Sequence, residues 1–159
     1  MYTGVVILKD DDWGTHPGEE LNNQKRWLGS VIEHKAKASL GVIGSGYPEV
    51  LTAIGYIARE NPGNVELFSH GFSHLVVRNA THNYNEFRGT SASSQNYSLW
   101  RSKQVARELM DYDYKVFGAP GNAYEETTFS LLGENGFAVM FNGGGSDVGD
   151  YLDNIRPFA

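Results

Sequence analysis

Cysteine is absent from this sequence of 159 residues, which removes disulfides, thiolate catalysis and Cys-ligated zinc together. Long apolar runs are absent as well, and no stretch approaches the ~18 consecutive apolar residues of a membrane-spanning helix. Positive charge is scarce: 13 Lys and Arg against 19 Asp and Glu leave a net charge of −6. That balance, with no basic stripe, argues against a nucleic-acid partner, which needs a clustered cationic footprint. The densest basic stretch, Glu33-His-Lys-Ala-Lys37, reads as the solvated end of a helix. The N-terminus has no charged segment followed by a long apolar one, so no signal peptide is read and a cytoplasmic location is expected. The Asn-x-Ser/Thr matches at Asn79 and Asn96 are then incidental.

Glycine and aromatic residues are plentiful, with 19 Gly, 9 Tyr and 8 Phe, which points to many tight turns and an aromatic core or surface. The length fits one domain spanning residues 1–159. Val5–Leu8 is an apolar, β-branched run that reads as a buried strand, followed by Asp10, Asp11, Asp12, Trp13 and Gly14 as a loop. Over residues 21–38, Trp27, Leu28, Val31 and Ile32 recur at the spacing of an amphipathic helix. A strand is expected over 39–43, and a helix begins at Pro48, buries Val50, Leu51, Ile54 and Ile57, and stops at Asn61-Pro-Gly63. Val65–Phe68 is the third strand. Residues 77–97 are polar and read as a long surface excursion, the kind of loop that is often functional.

A less clearly patterned helix follows over 99–110, then a strand at 115–117, a helix over 125–135 and a strand over 137–141. Asn142–Gly145 reads as a flexible turn, and a last strand is expected near Ile155. Strands alternating with helices at about 30-residue spacing imply βαβ units and a parallel sheet. In such α/β folds the working residues stand on loops at the carboxyl ends of the strands.

Three motifs fall at that end. The first is Asp10–Asp12: consecutive carboxylates repel and raise one another's pKa, which a bound divalent metal would relieve. The second is Glu66-Leu-Phe-Ser-His-Gly-Phe-Ser-His74, where one helical turn after the strand would place His70 and His74 on one face. Such a pair reads either as structural histidines or as the start of a zinc-type site that adds a carboxylate and an open position. Its strand-end place and the nearby carboxylates favour the metal. The third is Gly118-Ala-Pro-Gly-Asn122. His34 reads as solvated, His16 and His82 lie in loops, and Gly41–Gly46 lacks the glycine spacing of a dinucleotide loop.

Taken together, these motifs resemble the polysaccharide deacetylase superfamily (NodB-homology, carbohydrate esterase family 4-like), enzymes that remove N- or O-acetyl groups from sugars. The Leu8–Gly14 segment resembles its Asp-Asp motif, with Asp11 and Asp12 the best-aligned pair, residues 66–74 resemble its His-x-x-x-His motif closely, and residues 118–122 resemble its Arg-x-Pro segment in part. The resemblance implies a distorted (β/α) barrel, apparently short at the C-terminus, and a divalent metal, usually zinc, held by Asp12, His70 and His74. Asp11 would be the catalytic base, taking a proton from water, while a backbone N–H such as that of Gly121 holds the tetrahedral oxyanion. Trp13, Pro120, Gly121 and Asn122 are expected at the substrate. If Asp10 is the base instead, the ligand shifts to Asp11.

Two departures stand out. Gly118 occupies the place of the family's orienting Arg, and no His follows His82 to supply the late general acid, a role then open to His82 or His16. A chain of 159 residues also holds roughly five βα units, short of a barrel of about 250 residues. The expected function is metal-dependent deacetylation of an N-acetylated sugar or polysaccharide, with a silent carbohydrate-binding or scaffold domain as the alternative.

Overall fold

The computed structural model of the protein describes residues 8–15, 18–78, 81, 83–141 and 155–157. Its frame is a six-stranded sheet in the order β1-β2-β3-β6-β7-β8, built from β1 (Leu8–Trp13), β2 (Ala38–Val42), β3 (Val65–Ser69), β6 (Val116–Gly118), β7 (Val139–Phe141) and β8 (Ile155–Pro157). Neighbours from β1 to β7 run parallel and β8 joins the edge antiparallel. The helices α1 (Glu19–Glu33), α2 (Pro48–Glu60), α3 (Ala92–Val105) and α4 (Glu126–Glu134) connect them, and β4 (Val76–Arg78) and β5 (Asn83–Asn85) form a separate hairpin. This is the α/β architecture expected. Among the described residues, no helix is long and apolar enough to cross a membrane.

Side-chain alternation sorts the sheet into two faces. Leu40 pairs with Leu67 in register, and both are fully buried among residues of the helices such as Leu51, Ile54 and Leu99. The next face-mate on β3, Ser69, meets Ser102 of α3 in a buried 2.7 Å hydrogen bond. The opposite face carries Gly41 paired with Phe68. A Cβ at Gly41 would lie 2.6 Å from Phe68 Cζ, and one at Gly118 would lie 2.7 Å from Phe68 Cε2. Both glycines therefore clear the space in which the fully buried Phe68 ring lies across its neighbouring strands.

Helix α3 hides its pattern because it buries polar side chains: Gln95, Ser98, Ser102 and Lys103 all face inward. Each of the following is satisfied. Thr128 Oγ1 donates to Gln95 Oε1 at 2.8 Å, and Lys103 Nζ donates to the Asn135 carbonyl at 3.0 Å. Ser91 caps the helix by accepting the Ser94 N–H, and α3 continues as a π-helical turn over Ala106–Met110. The helix thus starts several residues earlier than its apolar spacing predicts.

Strand β1 departs from expectation in its placement. Residues 5–7 lie outside the described residues, and the paired strand is Leu8–Trp13, so the acidic triplet belongs to the strand and not to a loop after it. Pairing with β2 shifts register between Asp10 and Trp13, where Asp12 adopts φ 64°. A bulge of this kind re-aims successive side chains, and the three carboxylates go to three different partners.

Candidate metal centre

Asp12 is the penultimate residue of β1, and His70 follows directly on β3. Asp12 Oδ1 stands 3.4 Å from His70 Nε2 and 3.3 Å from His74 Nε2, and one ligand atom of each residue lies within 4.8 Å of the others. A tetrahedral ion with bonds of ~2.0–2.1 Å spaces its ligand atoms ~3.4 Å apart, so this donor set fits zinc or a similar cation. Burial is graded. The His70 side chain is 4% exposed, that of His74 31% and that of Asp12 44%, which leaves one side of the site open to solvent.

His70 is oriented by a main-chain acceptor. Its Nδ1 lies 2.8 Å from the Gly118 carbonyl, which can only accept, so Nδ1 carries a proton and Nε2 is the ring nitrogen that faces Asp12. The predicted helical turn between the histidines does not form; residues 70–75 have no helix. His74 takes φ 50° and Gly71 takes φ 79°, a tight loop that brings the rings to 5.4 Å between centroids. Within it the N–H groups of Phe72, Ser73 and His74 donate to the Glu86 carboxylate at 2.8, 3.0 and 2.8 Å. Sequence reasoning missed Glu86, which lies in the polar excursion with no spacing to mark it; a buried acid at 3% exposure is visible only in the fold.

The other acidic residues separate by role. Asp10 accepts the Trp13 indole N–H at 2.8 Å, and burial pushes its carboxyl above the ordinary value, opposed by that hydrogen bond. Asp11 Oδ2 pairs with Lys9 Nζ at 2.7 Å, and its buried Oδ1 has no hydrogen-bond partner among the described residues. Asp12 therefore stands with the histidines, Asp11 is the neighbouring carboxylate, and Asp10 is a structural acceptor.

The expected substrate residues divide. Trp13 is fully buried in the core with its N–H spent on Asp10, so it offers no face to a substrate; that expectation is corrected. Pro120 is buried against the histidine loop, where a Cβ on Gly71 would come 2.8 Å from its Cγ. Gly121 and Asn122 beside it are exposed. Of the aromatics in the excursion, Phe87 packs on Phe117 at 4.8 Å, whereas Tyr97 is exposed. Glu66 is exposed at the far ends of the strands, near a cavity of about 1020 Å³ lined by Leu8, Ser39, Val65, Val116 and Phe141 that includes none of the metal-centre residues. His16, His82 and Asn142–Gly145 lie outside the described residues.

No protein-family model and no curated protein matches this sequence. Solved structures do. A CE4 family pseudoenzyme from Bacillus anthracis superposes with TM-score 0.65 at 15% identity, over 84% of this chain and 42% of that one. A family 4 acetyl xylan esterase from Clostridium thermocellum, in complex with a cobalt ion, gives 0.59 at 20% identity, over 79% and 53%. A family 4 carbohydrate esterase from Streptomyces lividans, in complex with acetate, gives 0.61 at 14% identity, over 87% and 62%. The chain thus has the fold of family 4 carbohydrate esterases, in line with the resemblance of its motifs. It spans less than two thirds of the length of each of these structures.

Proposed function

We propose that this chain is a metal-dependent carbohydrate deacetylase domain that hydrolyses the acetyl group of an N-acetylated sugar or polysaccharide, and that its sheet is an arc of the distorted (β/α) barrel. One observation carries the reading: a carboxylate and two imidazoles converge at ligand spacing on the carboxyl ends of β1 and β3, with an open side. Zinc is the proposed ion. A divalent cation there supplies Lewis-acid polarisation of the acyl carbonyl and acidifies water. Asp11, next to the ligand Asp12, accepts the proton of the attacking water, with Lys9 holding its other oxygen. Gly121 and Asn122 stand exposed where the segment after β6 meets the histidine loop, positioned to contact the acyl group or sugar.

The sugar side of the reading rests on aromatic surface. Phe72, between the two histidines, meets Tyr97 edge-on at 6.3 Å, and Tyr97 lies 5.9 Å from Trp100. Tyr97 and Trp100 are 55% and 48% exposed, ring faces of the kind on which sugar rings stack. The silent-domain reading is kept by a specific observation, the Gly118 that stands where the motif would have Arg, and a pseudoenzyme is among the similar structures.

Acetate release from N-acetylglucosamine oligomers separates the two. With zinc supplied, the enzyme reading expects release that chelator and Asp11→Asn both abolish. Zinc binding without release from any acetylated glycan would establish the silent domain instead.

A further inference from the structure

The backbone between the two histidines is held from both sides. Its carbonyls are taken by the turn after β2: the Gly44 N–H donates to Gly71 at 3.1 Å and the Ser45 N–H to Phe72 at 2.7 Å. Its N–H groups converge on Glu86, with Phe72 and Ser73 sharing Oε1 and His74 donating to Oε2. Left-handed Gly71 and His74 curl the chain so that consecutive N–H dipoles point into one concavity, the arrangement that binds anions. Here the anion is the protein's own carboxylate. The fit is close, because a Cβ at Gly71 would lie 2.5 Å from Glu86 Oε2.

Glu86 is itself anchored. Its N–H donates to the Leu75 carbonyl at 2.9 Å and its carbonyl accepts from Thr90 Oγ1 at 2.9 Å. The carbonyl of the next residue, Phe87, lies 3.2 Å from Thr128 Oγ1 of α4. The polar excursion, read from sequence only as a long surface segment, thus delivers one buried charge to the loop that carries two of the three ligands.

We propose that Glu86 is a positioning residue for the metal centre, an internal anion that sets the spacing of His70 and His74 before any cation arrives. This rests on the reading that Asp12, His70 and His74 hold a divalent ion. A loop of this conformation without its anion would leave three converging N–H groups unpaired and mutually repelling, and His74 would swing away from Asp12. Outer partners that orient ligands in this way typically govern affinity by about 10–100-fold.

The test compares Glu86→Gln, in which an amide NH₂ faces the His74 N–H, with wild type and with Ile54→Val, a core truncation in α2. Zinc affinity is read by calorimetry, and in metal-free protein the exchange of the Phe72, Ser73 and His74 amide protons is read by NMR. The expected result is zinc binding weakened about 10–100-fold in Glu86→Gln but unchanged in Ile54→Val, with the His74 amide exchanging at least tenfold faster in Glu86→Gln alone. Gly71→Ala, which crowds the carboxylate out, should reproduce both effects. Unchanged affinity and exchange in a folded Glu86→Gln overturns the proposal. Wild-type protein that binds no zinc while the His74 amide still depends on Glu86 overturns the metal reading instead, leaving Glu86 as a loop anchor.

Discussion

His70 gives its Nδ1 proton to the Gly118 carbonyl across 2.8 Å. The bond joins the end of β3 to the end of β6 through the buried member of the candidate ligand set, so the ring cannot turn without breaking a hydrogen bond out of water. It also assigns a role to Gly118 that does not depend on a side chain. The residue that looked like a loss in the motif is an acceptor for His70 and a gap for Phe68.

Gly118→Ala should therefore act twice. The new Cβ would sit 2.7 Å from the Phe68 ring, which is fully buried and has no free end to give. Overpacking of this kind destabilises by about 1–3 kcal/mol. The strand shift that relieves it moves the carbonyl away from His70, so zinc affinity should fall about tenfold. Urea unfolding and calorimetry check both numbers. A loss of stability with unchanged affinity would show that the carbonyl does not govern the ligand.

Lys9 and Asp11 make the sharper catalytic prediction. Their pair is partly exposed, at 29% and 34%, so it contributes at most about 1 kcal/mol to folding. Its expected role is orientation: it fixes one carboxylate oxygen and leaves Oδ1 aimed inward. Asp11→Asn should lower acetate release about 10²–10⁴-fold, the usual worth of a general base, with little change in melting temperature. Lys9→Met should lower kcat more than it raises KM, and Lys9→Arg should restore most of the rate. Equal kcat in Lys9→Met and wild type would remove Lys9 from the mechanism.

The alternation of β-branched runs and amphipathic stretches made the parallel sheet legible, because both faces of such strands and one face of each helix are buried. The convergence of the acidic triplet with His70 and His74 was legible for a related reason, since strand ends in a parallel sheet gather on one rim; the choice of Asp12 within the triplet came from the resemblance of the motifs. What failed was local. The acidic triplet looked like a loop, since nothing in Asp-Asp-Asp signals that pairing with β2 and a bulge can carry it through a strand. Trp13 was expected at the substrate because ring exposure is not encoded in the residue; it is instead a fully buried member of the core cluster that also holds Leu28 and Leu51. The helical turn at 70–74 was expected from four-residue spacing, but a distant carboxylate stabilises a left-handed loop there instead. Glu86 was invisible because its significance lies wholly in contacts made across the fold.

Acid stability should depend on Asp113. Lys115 leads a set of three cations around it, with Arg107 and Lys103, and together they hold its carboxyl well below the ordinary 3.8. A depressed carboxyl contributes stability that is fully present above its unfolded pKa and lost as pH falls through the folded value. Wild type and Asp113→Asn should thus differ most at neutral pH, by about 1 kcal/mol after allowing for solvent screening. The gap should narrow once pH drops below about 4. High salt should narrow it too. Chemical denaturation at several pH values checks this, and a gap that widens toward acid would refute the assignment.

The aromatic surface beside the histidine loop predicts a dependence on glycan length. Tyr97 and Trp100 lie three residues apart on α3, and among the described ring contacts Phe72 meets Tyr97 and Tyr97 meets Trp100, a row of rings that starts between the two histidines. A short acetylated sugar held at the metal need not reach Trp100, whereas a longer chain running over Phe72 and Tyr97 would cover it. One aromatic stack is worth about 0.5–1.5 kcal/mol, or roughly 2- to 10-fold in binding. Trp100→Ala should accordingly raise KM by that factor for longer oligomers and leave that for the disaccharide unchanged, with kcat the same for both. Tyr97→Ala should affect both lengths, because it also removes the ring that props Phe72. Should Trp100→Ala change neither, the exposed ring belongs to some other surface, and the substrate path must run from the metal centre toward Gly121 and Asn122 instead.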